Sequence, residues 1–405
     1  MMDGELDCRT FAPMTTFSRN IRHFRLLLAV ADTGSLTLAA DRTNVSQPAV
    51  TQALSKLEAE AGGPLFDRTR QGVFATPRGA LLADRLRRAF DRLDPALEDL
   101  APRLKLTATF AQLQAIVAVH ETENFTLAAR RLGLAQPTVH RAVSQMEKEA
   151  GRKLFDRTGF GLVPTRQTRA LVQAVMVAMT EVTSAESDIA DLDGGESGRI
   201  TIGALPLSRS VLLPRALVRF REDRQRHPVQ VIDGLYDDLL GDLRRGEVDM
   251  ILGALRDPAP IGDIRQDPLF EDGLAFLARR DHPLVGQHGL GPADLHRASW
   301  VVPRHGTPTR TQFDQFFAPH PPEGIIEAGS ILLMREILQH SDHLGCISAA
   351  QAGAELQHGL LAKLDVRAAW QRRPIGLTTR KNWVPTKAQA LLIEVLRDEA
   401  RKLPL

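Results

Sequence analysis

Residues 46–52 carry side chains whose chemistry suits contact with base pairs. A glutamine amide can form two hydrogen bonds with adenine, and alanine or threonine can touch the methyl group of thymine. A basic pair follows in a segment with the composition of a β-hairpin, where guanidinium groups can meet phosphates. The candidate residues for base and phosphate contact are Ser46, Gln47, Pro48, Ala49, Thr51, Gln52, Arg68 and Arg70.

The same pattern occurs a second time at a constant offset. Pro48 corresponds to Pro137, an offset of 137 − 48 = 89 residues, and residues 65–69 correspond to residues 154–158 without a gap. Matches at several separated blocks in one register indicate two copies of a unit of about 80 residues. The candidate contact residues of the second copy are Gln136, Thr138, His140, Arg141 and Arg157.

Each copy has the pattern of three helices, a small hairpin and a longer helix. In the first copy, Ser35 is placed to cap the second helix and Ser46 to cap the third, with Pro48 in its first turn. Two short helices joined by a tight turn, the second starting with small polar residues, are the elements that enter the major groove of DNA. The sequence therefore predicts a DNA-binding winged helix-turn-helix.

The second copy differs from the first at several of these positions. Ala135 replaces the capping serine, and His140 and Arg141 replace Thr51 and Gln52. Two interpretations stay open. The second copy binds DNA with altered specificity, or it is a structural or dimerising duplicate.

Long helices follow both hairpins, and each has apolar residues at helical spacing. An apolar stripe of this strength needs a partner helix to bury it. The sequence leaves open whether that partner comes from the other copy or from another chain.

From Arg199 onward, short apolar strands alternate with helices, which predicts a parallel α/β sheet. In open sheets of this kind, ligands lie beyond the carboxyl ends of strands, at helix N-termini. Three such places carry hydroxyl groups that can meet a carboxylate, although the same hydroxyls can serve only as helix caps, and Arg310 nearby can simply be solvated. The candidate effector-binding residues are Leu207, Ser208, Arg209, Thr307, Thr309 and Ser330.

These motifs resemble the LysR-type family of transcriptional regulators. The resemblance rests on residues 34–40, 46–51, 57–58, 65–68 and 76–79, and it continues weakly to the C-terminus. It implies a DNA-binding regulator with a dimerisation helix after the wing and an effector domain of two subdomains around a cleft, built like periplasmic binding proteins. The second winged unit is a departure, because such regulators ordinarily carry one.

The resemblance also implies the partners, which are double-stranded DNA and a small-molecule effector that alters operator binding. The effector is expected to bear a carboxylate. Residues 239–246 and 373–380 are similar to segments of regulators of aromatic-acid and sugar catabolism, which indicates an aromatic or sugar-derived acid. A homodimer or homotetramer is expected.

Composition excludes several other classes. The net charge of +2 means that affinity for nucleic acid must come from local basic patches. The sequence has no run of about 18 apolar residues, so it predicts no membrane-spanning helix. The two cysteines, Cys8 and Cys346, form no disulfide framework, and Cys346 is expected to fill a core. We therefore expect a cytoplasmic, nucleoid-associated protein.

Enzymatic motifs are missing from the sequence. It contains no glycine-rich phosphate loop, no nucleophile elbow and no catalytic pair. Of its histidines only His340 and His343 have helical spacing, and no carboxylate or cysteine ligand set frames them. No cofactor, no metal and no enzymatic activity are expected. The alternatives are an enzyme fused to DNA-binding units and an architectural DNA binder that takes no ligand.

The predicted fold class is multidomain, with two all-α winged helix-turn-helix units before an α/β effector domain of two subdomains built like periplasmic binding proteins. The predicted parts are a tail (1–18), a first winged unit with linker helix (19–100), a second (106–192) and the effector domain (199–405), whose subdomains comprise 199–273 with 374–405, and 274–373.

Overall fold

A computed structural model of the chain describes residue 17 and residues 20–159, 161–368 and 370–403. Apart from Phe17, the predicted tail of residues 1–18 lies outside the described residues, and so does Cys8. The chain divides into two compact units between Gly198 and Arg199.

The first unit contains both copies of the repeat, joined by a short connection. The first copy consists of α1 (Ile21–Thr33), α2 (Leu36–Thr43), α3 (Gln47–Glu60), β1 (Phe66–Thr69), β2 (Gly72–Ala75) and α4 (Pro77–Leu100). After α5 (Leu104–Thr107), the second copy consists of α6 (Phe110–Thr122), α7 (Phe125–Leu132), α8 (Gln136–Ala150), β3 (Phe155–Thr158), β4 (Gly161–Pro164) and α9 (Arg166–Leu192).

The caps at the helix starts follow the sequence in part. Ser35 caps α2 by accepting a hydrogen bond from the Leu38 N–H. The cap predicted at Ser46 is wrong in its chemistry: Ser46 has the extended backbone of a cap residue, but its side chain makes no hydrogen bond with α3. Ala135, at the corresponding position of the second copy, has no side-chain oxygen. Both third helices therefore begin without a side-chain cap.

The two copies differ where the long helix passes under the start of the wing. A Cβ atom added to Gly79 would lie 1.9 Å from the Leu65 carbonyl oxygen, so α4 comes close enough to require glycine. The corresponding residue of the second copy is Thr168, and its hydroxyl donates to the Leu154 carbonyl at 2.7 Å. A hydrogen bond thus takes the place of close backbone packing.

The partner helix that the apolar stripes require is in the same chain. Helix α4 packs along α9, and buried residues of both copies form one continuous hydrophobic core. In the described residues, each long helix therefore buries its stripe against the other copy.

The second unit alternates strands and helices around two five-stranded sheets. Its elements are β5 (Ile200–Ala204), α10 (Pro206–Ser210), α11 (Leu212–Asp223), β6 (Val229–Ile232), α12 (Tyr236–Arg245), β7 (Met250–Ala254), β8 (Ile264–Asp272), β9 (Leu274–Ala278), α13 (Pro292–Leu295), β10 (Trp300–Val302), α14 (Pro308–Phe317), β11 (Ile325–Glu327), α15 (Ile331–Gln339), β12 (Leu344–Ser348), α16 (Gly353–Gln357), β13 (Ala362–Lys363), β14 (Arg373–Arg380) and α17 (Lys387–Arg401).

Both sheets are mixed, so the prediction of a parallel sheet is only partly correct. One sheet has the order β6-β5-β7-β14-β8, in which β14 runs antiparallel to both of its neighbours. The other has the order β11-β10-β12-β9-β13, in which β9 is antiparallel. Strand β8 was not predicted because its polar residues and Pro268 break the strand pattern, and its place at a sheet edge tolerates the missing N–H.

Candidate nucleic-acid interface and effector site

Helix α3 presents the predicted base-contacting residues to solvent. Val50, Leu54 and Leu57 are buried and attach one side of the helix to the core. Six predicted contact residues are on the opposite side, where Thr51 is half-buried and the others are exposed: Ser46, Gln47, Pro48, Ala49, Thr51 and Gln52. This half-anchored, half-open helix is the arrangement that a recognition helix requires.

Helix α8 of the second copy is built in the same way. Val139, Val143 and Met146 are buried, while Gln136, Thr138, His140 and Arg141 are exposed. The His140 ring packs against Phe125 with ring centres 5.1 Å apart. An open concavity of about 590 Å³ brings helix and wing together and is lined by Gln136, Pro137, His140, Arg141, Ser144 and Arg157.

The wings are two-stranded hairpins with exposed arginines. Arg68 lies in β1, Arg70 lies in the turn that follows it, and Arg157 lies in β3. Among the described residues, none of these three side chains forms an ion pair within the chain, so their charges face solvent. They are placed to meet phosphates.

A repeated glutamate holds each wing against its recognition helix. Glu58 in α3 accepts hydrogen bonds from the backbone N–H groups of Leu65 and Phe66. The equivalent Glu147 in α8 accepts from the Leu154 N–H at 3.0 Å. The position of the wing is therefore set by the same helix that carries the candidate base contacts.

The effector candidates after β5 are engaged within the protein. Ser208 is the third residue of α10, not its cap, and it is completely buried. Its hydroxyl hydrogen-bonds to the carbonyls of Leu205 at 2.7 Å and Leu252 at 2.9 Å. Leu207 is buried, and Arg209 pairs with Asp233 at 2.8 Å. The expectation that Ser208 starts a helix with a free hydroxyl is wrong, because Ser208 lies inside α10 and its single hydroxyl proton is shared between two backbone carbonyls.

Thr307 and Ser330 are N-caps after neighbouring parallel strands. Thr307 accepts from the Arg310 N–H and caps α14, while Ser330 accepts from the Leu333 N–H and caps α15. Because β10 and β11 run parallel, both caps lie at the same edge of that sheet, and Thr309 between them in sequence is buried.

Arg310 is not solvated, as one interpretation had it. It is buried, with Nε 2.7 Å from Asp314 and Nη1 2.6 Å from Glu327. Glu327 ends β11, so Arg310 ties α14 to the same edge that carries the two caps.

A second polar cluster lies at the edge of the other sheet. Strands β5, β6 and β7 are parallel, so their carboxyl ends share one edge, and the start of β14 lies beside the end of β7. Tyr236 follows β6, Arg256 follows β7 and Arg373 begins β14. The Arg256 guanidinium lies over the Tyr236 ring, 4.6 Å from its centre.

Two of these side chains have unused hydrogen-bonding capacity. Among the described residues, the buried Nε and Nη1 atoms of Arg373 and the Tyr236 hydroxyl have no hydrogen-bond partner. The nearest acid to Arg373 is Asp272, 3.9 Å away. Burial lowers the pKa of Arg373. Burial raises the pKa of Tyr236, and the positive charge of Arg256 opposes this increase. Buried guanidinium nitrogen atoms that lack a partner, such as those of Arg373, can donate hydrogen bonds to a carboxylate.

The two edges meet where the chain passes from one sheet to the other. Asp272 ends β8 and Leu274 begins β9. The Ser348 hydroxyl at the end of β12 donates to Asp272, and the Ala350 N–H donates to the same carboxylate at 3.0 Å.

Comparison with known families assigns both halves of the chain. Residues 21–80 and again residues 110–169 match the bacterial regulatory helix-turn-helix of the LysR family, and residues 193–401 match the LysR substrate-binding domain. The chain belongs to the LysR family of transcriptional regulators. It is a DNA-binding regulator with an effector domain, not an enzyme, and the duplication of its winged unit is confirmed by the two separate matches.

Individual relatives agree with this assignment. The regulator is 34% identical to the HTH-type transcriptional regulator GalR of Pseudomonas putida over 384 residues, which cover 93% of this chain and 96% of GalR. It is 27% identical to PcaQ of Agrobacterium fabrum over 298 residues, which cover 73% of this chain and 96% of PcaQ. The match to GalR is thus long enough to include both winged units.

Solved structures show the same LysR-type fold, with a helix-turn-helix before an α/β effector domain. Full-length OxyR of Pseudomonas aeruginosa superposes with a TM-score of 0.53 at 21% identity, over 71% of this chain and 97% of OxyR. ArgP of Mycobacterium tuberculosis gives 0.55 at 18% identity, over 72% and 97%. In the described part of this regulator, no helix is long and apolar enough to cross a membrane, and no cluster of potential metal ligands occurs.

Sequence reasoning missed the Tyr236, Arg256 and Arg373 cluster of this regulator. Two signals are present in the sequence: Tyr236 is the only tyrosine of the chain, and Arg256 follows a strand that the sequence predicts. The rule that ligands lie beyond strand ends, applied to β7 as it was to β5, leads to Arg256. Arg373 gave no local signal, because its burial depends on β8.

Proposed function

We propose that this regulator binds a specific operator through both winged units and that a small carboxylate-bearing metabolite controls that binding. The observation that carries the DNA-binding part is the repeated half-open recognition helix with an exposed basic wing beside it. The second copy keeps exposed Arg141 and Arg157 around one concavity, which supports contact with DNA over a purely structural role. Its place of action is the cytoplasmic nucleoid.

Base reading and phosphate contact make different predictions in the first copy. Gln47→Ala should cost about 1–3 kcal/mol at the selected operator and little on random DNA, because it removes a base contact. Arg68→Ala should weaken binding to all sequences alike and reduce the salt slope by about 1. Equal losses on operator and random DNA for Gln47→Ala would contradict base reading.

The role of the second copy is tested by a footprint. The intact regulator is compared with a variant in which Gln136, His140 and Arg141 are all alanine. If both copies bind DNA, the footprint of the variant should shorten and its affinity should fall. An unchanged footprint and affinity would show that the second copy only spaces or dimerises.

We place the effector in a cleft between the two sheets, where their strand-end edges meet. The buried Arg373 with two unpaired nitrogen atoms supports a carboxylate, and the Tyr236 ring beside Arg256 supports an aromatic or sugar-derived acid. The predicted contacts from Leu207, Ser208, Arg209, Thr307, Thr309 and Ser330 remain part of this proposal. For Ser208 the contact would have to come through the backbone around it.

Thermal-shift titration with hydroxybenzoates and aldonic acids tests the effector site. An acid that stabilises the wild type should fail to stabilise Arg373→Met, while the exposed neighbour Arg372→Met serves as the matched control. If no acid stabilises the wild type, the regulator takes no such ligand and an architectural role is favoured. Retained stabilisation in Arg373→Met would place the site elsewhere.

We also propose that chains associate as a homodimer or homotetramer through the effector domain. Val218 on α11 and Leu332 and Leu333 on α15 are large apolar side chains exposed at 70%, 58% and 50%, and association between chains would cover them. Sedimentation of the wild type and of a variant with all three changed to serine tests this proposal. An unchanged mass would contradict it.

A further inference from the structure

The contact between α4 and α9 contains a buried ion-pair cluster. Arg85 of α4 is 2% exposed and donates to Asp188 of α9 at 2.8 and 3.0 Å and to Glu181 at 3.1 Å. Both acids are 7% exposed, and Arg88 adds a contact to Glu181 at 3.2 Å. Buried charges of this kind discriminate between pairings, because a charge left without its partner is costly.

The repeat shows which helix pairing this cluster favours. The offset of 89 residues places Ala174 at the position of Arg85 (174 − 89 = 85), Arg92 at that of Glu181 (181 − 89 = 92) and Asp99 at that of Asp188 (188 − 89 = 99). If the two long helices are related as the repeat relates them, only the pairing of α4 with α9 supplies Arg85 with two acids.

Pairing of like helices would lose this match. Two copies of α4 would bring Arg85 towards Arg92 and Asp99 of the other copy, an arginine and one acid in place of two acids. Two copies of α9 would bring Ala174 towards two buried acids without a cation. The charges of the cluster therefore favour the unlike pairing over either like pairing.

The connection between the copies keeps the pairing within one chain. Helix α4 ends at Leu100 and α6 begins at Phe110. Within the connection, Leu104 is buried in the common core and Thr107 donates to Glu149 of α8 at 2.6 Å. A connection this short gives the second copy a high effective concentration beside the first.

The two recognition helices that this pair carries are chemically unlike. Helix α3 offers Thr51 and Gln52 where α8 offers His140 and Arg141. Glutamine matches adenine, whereas arginine matches the O6 and N7 atoms of guanine. Two unlike helices held in a fixed order can read two unlike half-sites in a fixed order.

We propose that a single chain contains both DNA-binding units needed to recognise an operator of two unlike half-sites. Arg85, Glu181 and Asp188 select the unlike helix pair α4–α9, and this pair presents one recognition helix to each half-site. This inference rests on the proposed binding of both winged units to DNA. It goes further because it assigns the pairing to the single chain and predicts that the two half-sites read by one chain are not related by two-fold symmetry.

A charge-exchange experiment on the full chain tests the pairing. The probe is the duplex that the wild type selects from a random library of about 40 base pairs, a length of several helical turns. We expect Arg85→Glu alone, or Glu181→Gln with Asp188→Arg alone, to lose affinity for this duplex by at least about tenfold. All three changes in one chain should restore binding, because the carboxylate introduced on α4 then faces the guanidinium introduced on α9.

Co-expression separates pairing within a chain from pairing between chains. The Arg85→Glu chain and the Glu181→Gln, Asp188→Arg chain are produced together. If α4 of one chain pairs with α9 of another, the mixture restores binding, and that result would overturn the proposal. If the mixture stays defective while the triple variant binds, the pairing is within the chain. A defective triple variant would show that these charges do not select the pairing, whether or not the single-helix variants fold.

The order of half-sites tests the operator directly. Duplexes are made with the two half-sites of the selected sequence in the natural order, with the first half-site twice, and with the second half-site twice. The natural order should bind at least about tenfold more tightly than either symmetric duplex. Equal or tighter binding to a symmetric duplex refutes the inference, whereas a wild type that selects no sequence at all refutes the proposed function itself.

Discussion

Replacing Arg85 by methionine should reveal how much the buried cluster contributes to the winged units. Methionine keeps a long apolar stem but removes the guanidinium, which makes hydrogen bonds to Asp188 and Glu181 of 2.8 to 3.1 Å. All three side chains are less than a tenth exposed, so water cannot replace the lost cation. Removing one partner of such a buried cluster costs about 3–5 kcal/mol.

Neutralising the acids in the same chain should recover most of this loss. In the variant with Arg85→Met, Glu181→Gln and Asp188→Asn, no charge is left unpaired by the missing guanidinium, and Arg88 still has an amide oxygen to contact. We expect the triple variant to lie within about 2 kcal/mol of the wild type, since neutral replacements for a buried ion pair are often close to neutral in stability. With the Glu181→Gln, Asp188→Asn variant as the fourth member, the comparison forms a double-mutant cycle between the helices.

The distribution of aromatic residues makes the assay selective. The three tryptophans of the chain are Trp300, Trp370 and Trp383, all in the second unit, so their fluorescence follows the effector domain. Helical circular dichroism follows both units. Arg85→Met should lower the midpoint of a circular-dichroism transition by about 6–20 °C and leave the fluorescence transition in place.

Two results would refute this reasoning. A variant Arg85→Met as stable as the wild type would show that the cluster contributes nothing measurable. A triple variant as unstable as Arg85→Met would show that the loss of the guanidinium's own hydrogen bonds, not the unpaired acids, carries the effect.

Three further predictions concern single residues. Gly79→Ala should destabilise the first copy by about 1–3 kcal/mol, because the added Cβ would lie 1.9 Å from the Leu65 carbonyl oxygen. Thr168→Ala should cost the second copy only about 1 kcal/mol, because it removes one hydrogen bond to the Leu154 carbonyl. Equal losses of stability in circular-dichroism unfolding would contradict this difference between the copies. Burial raises the pKa of Asp249, so the unfolded chain loses this proton first and the stability of the folded chain should fall as the pH rises above about 4. Asp249→Asn can still accept from the Thr201 N–H and should flatten that pH dependence in fluorescence-monitored unfolding. An unchanged slope of stability against pH would count against this role of Asp249. Glu58→Ala removes the acceptor that holds the wing, so it should weaken binding to operator and random DNA alike. Glu58→Gln keeps an acceptor oxygen and should keep most of the affinity. A loss of affinity confined to the operator would be inconsistent with a wing-positioning role.

The features that the sequence determined by itself are those set by short-range patterns. The repeat, the winged units and the exposure of Gln47, Pro48, Ala49 and Gln52 follow from periodicity, turn residues and prolines within a few positions of one another. Even there, the cap at Ser46 failed, because a cap hydrogen bond depends on a rotamer that sequence does not specify.

Only the tertiary structure decided the contacts between distant residues. An apolar stripe shows that α4 needs a partner but not which helix it is, and Arg85 finds its acids 96 and 103 residues away. Ser208 is engaged by the carbonyl of Leu252 on a neighbouring strand, and Arg373 is buried beside an edge strand whose polar sequence does not predict it. Such contacts join residues through packing in three dimensions, and local periodicity carries no information about the residue on the other side.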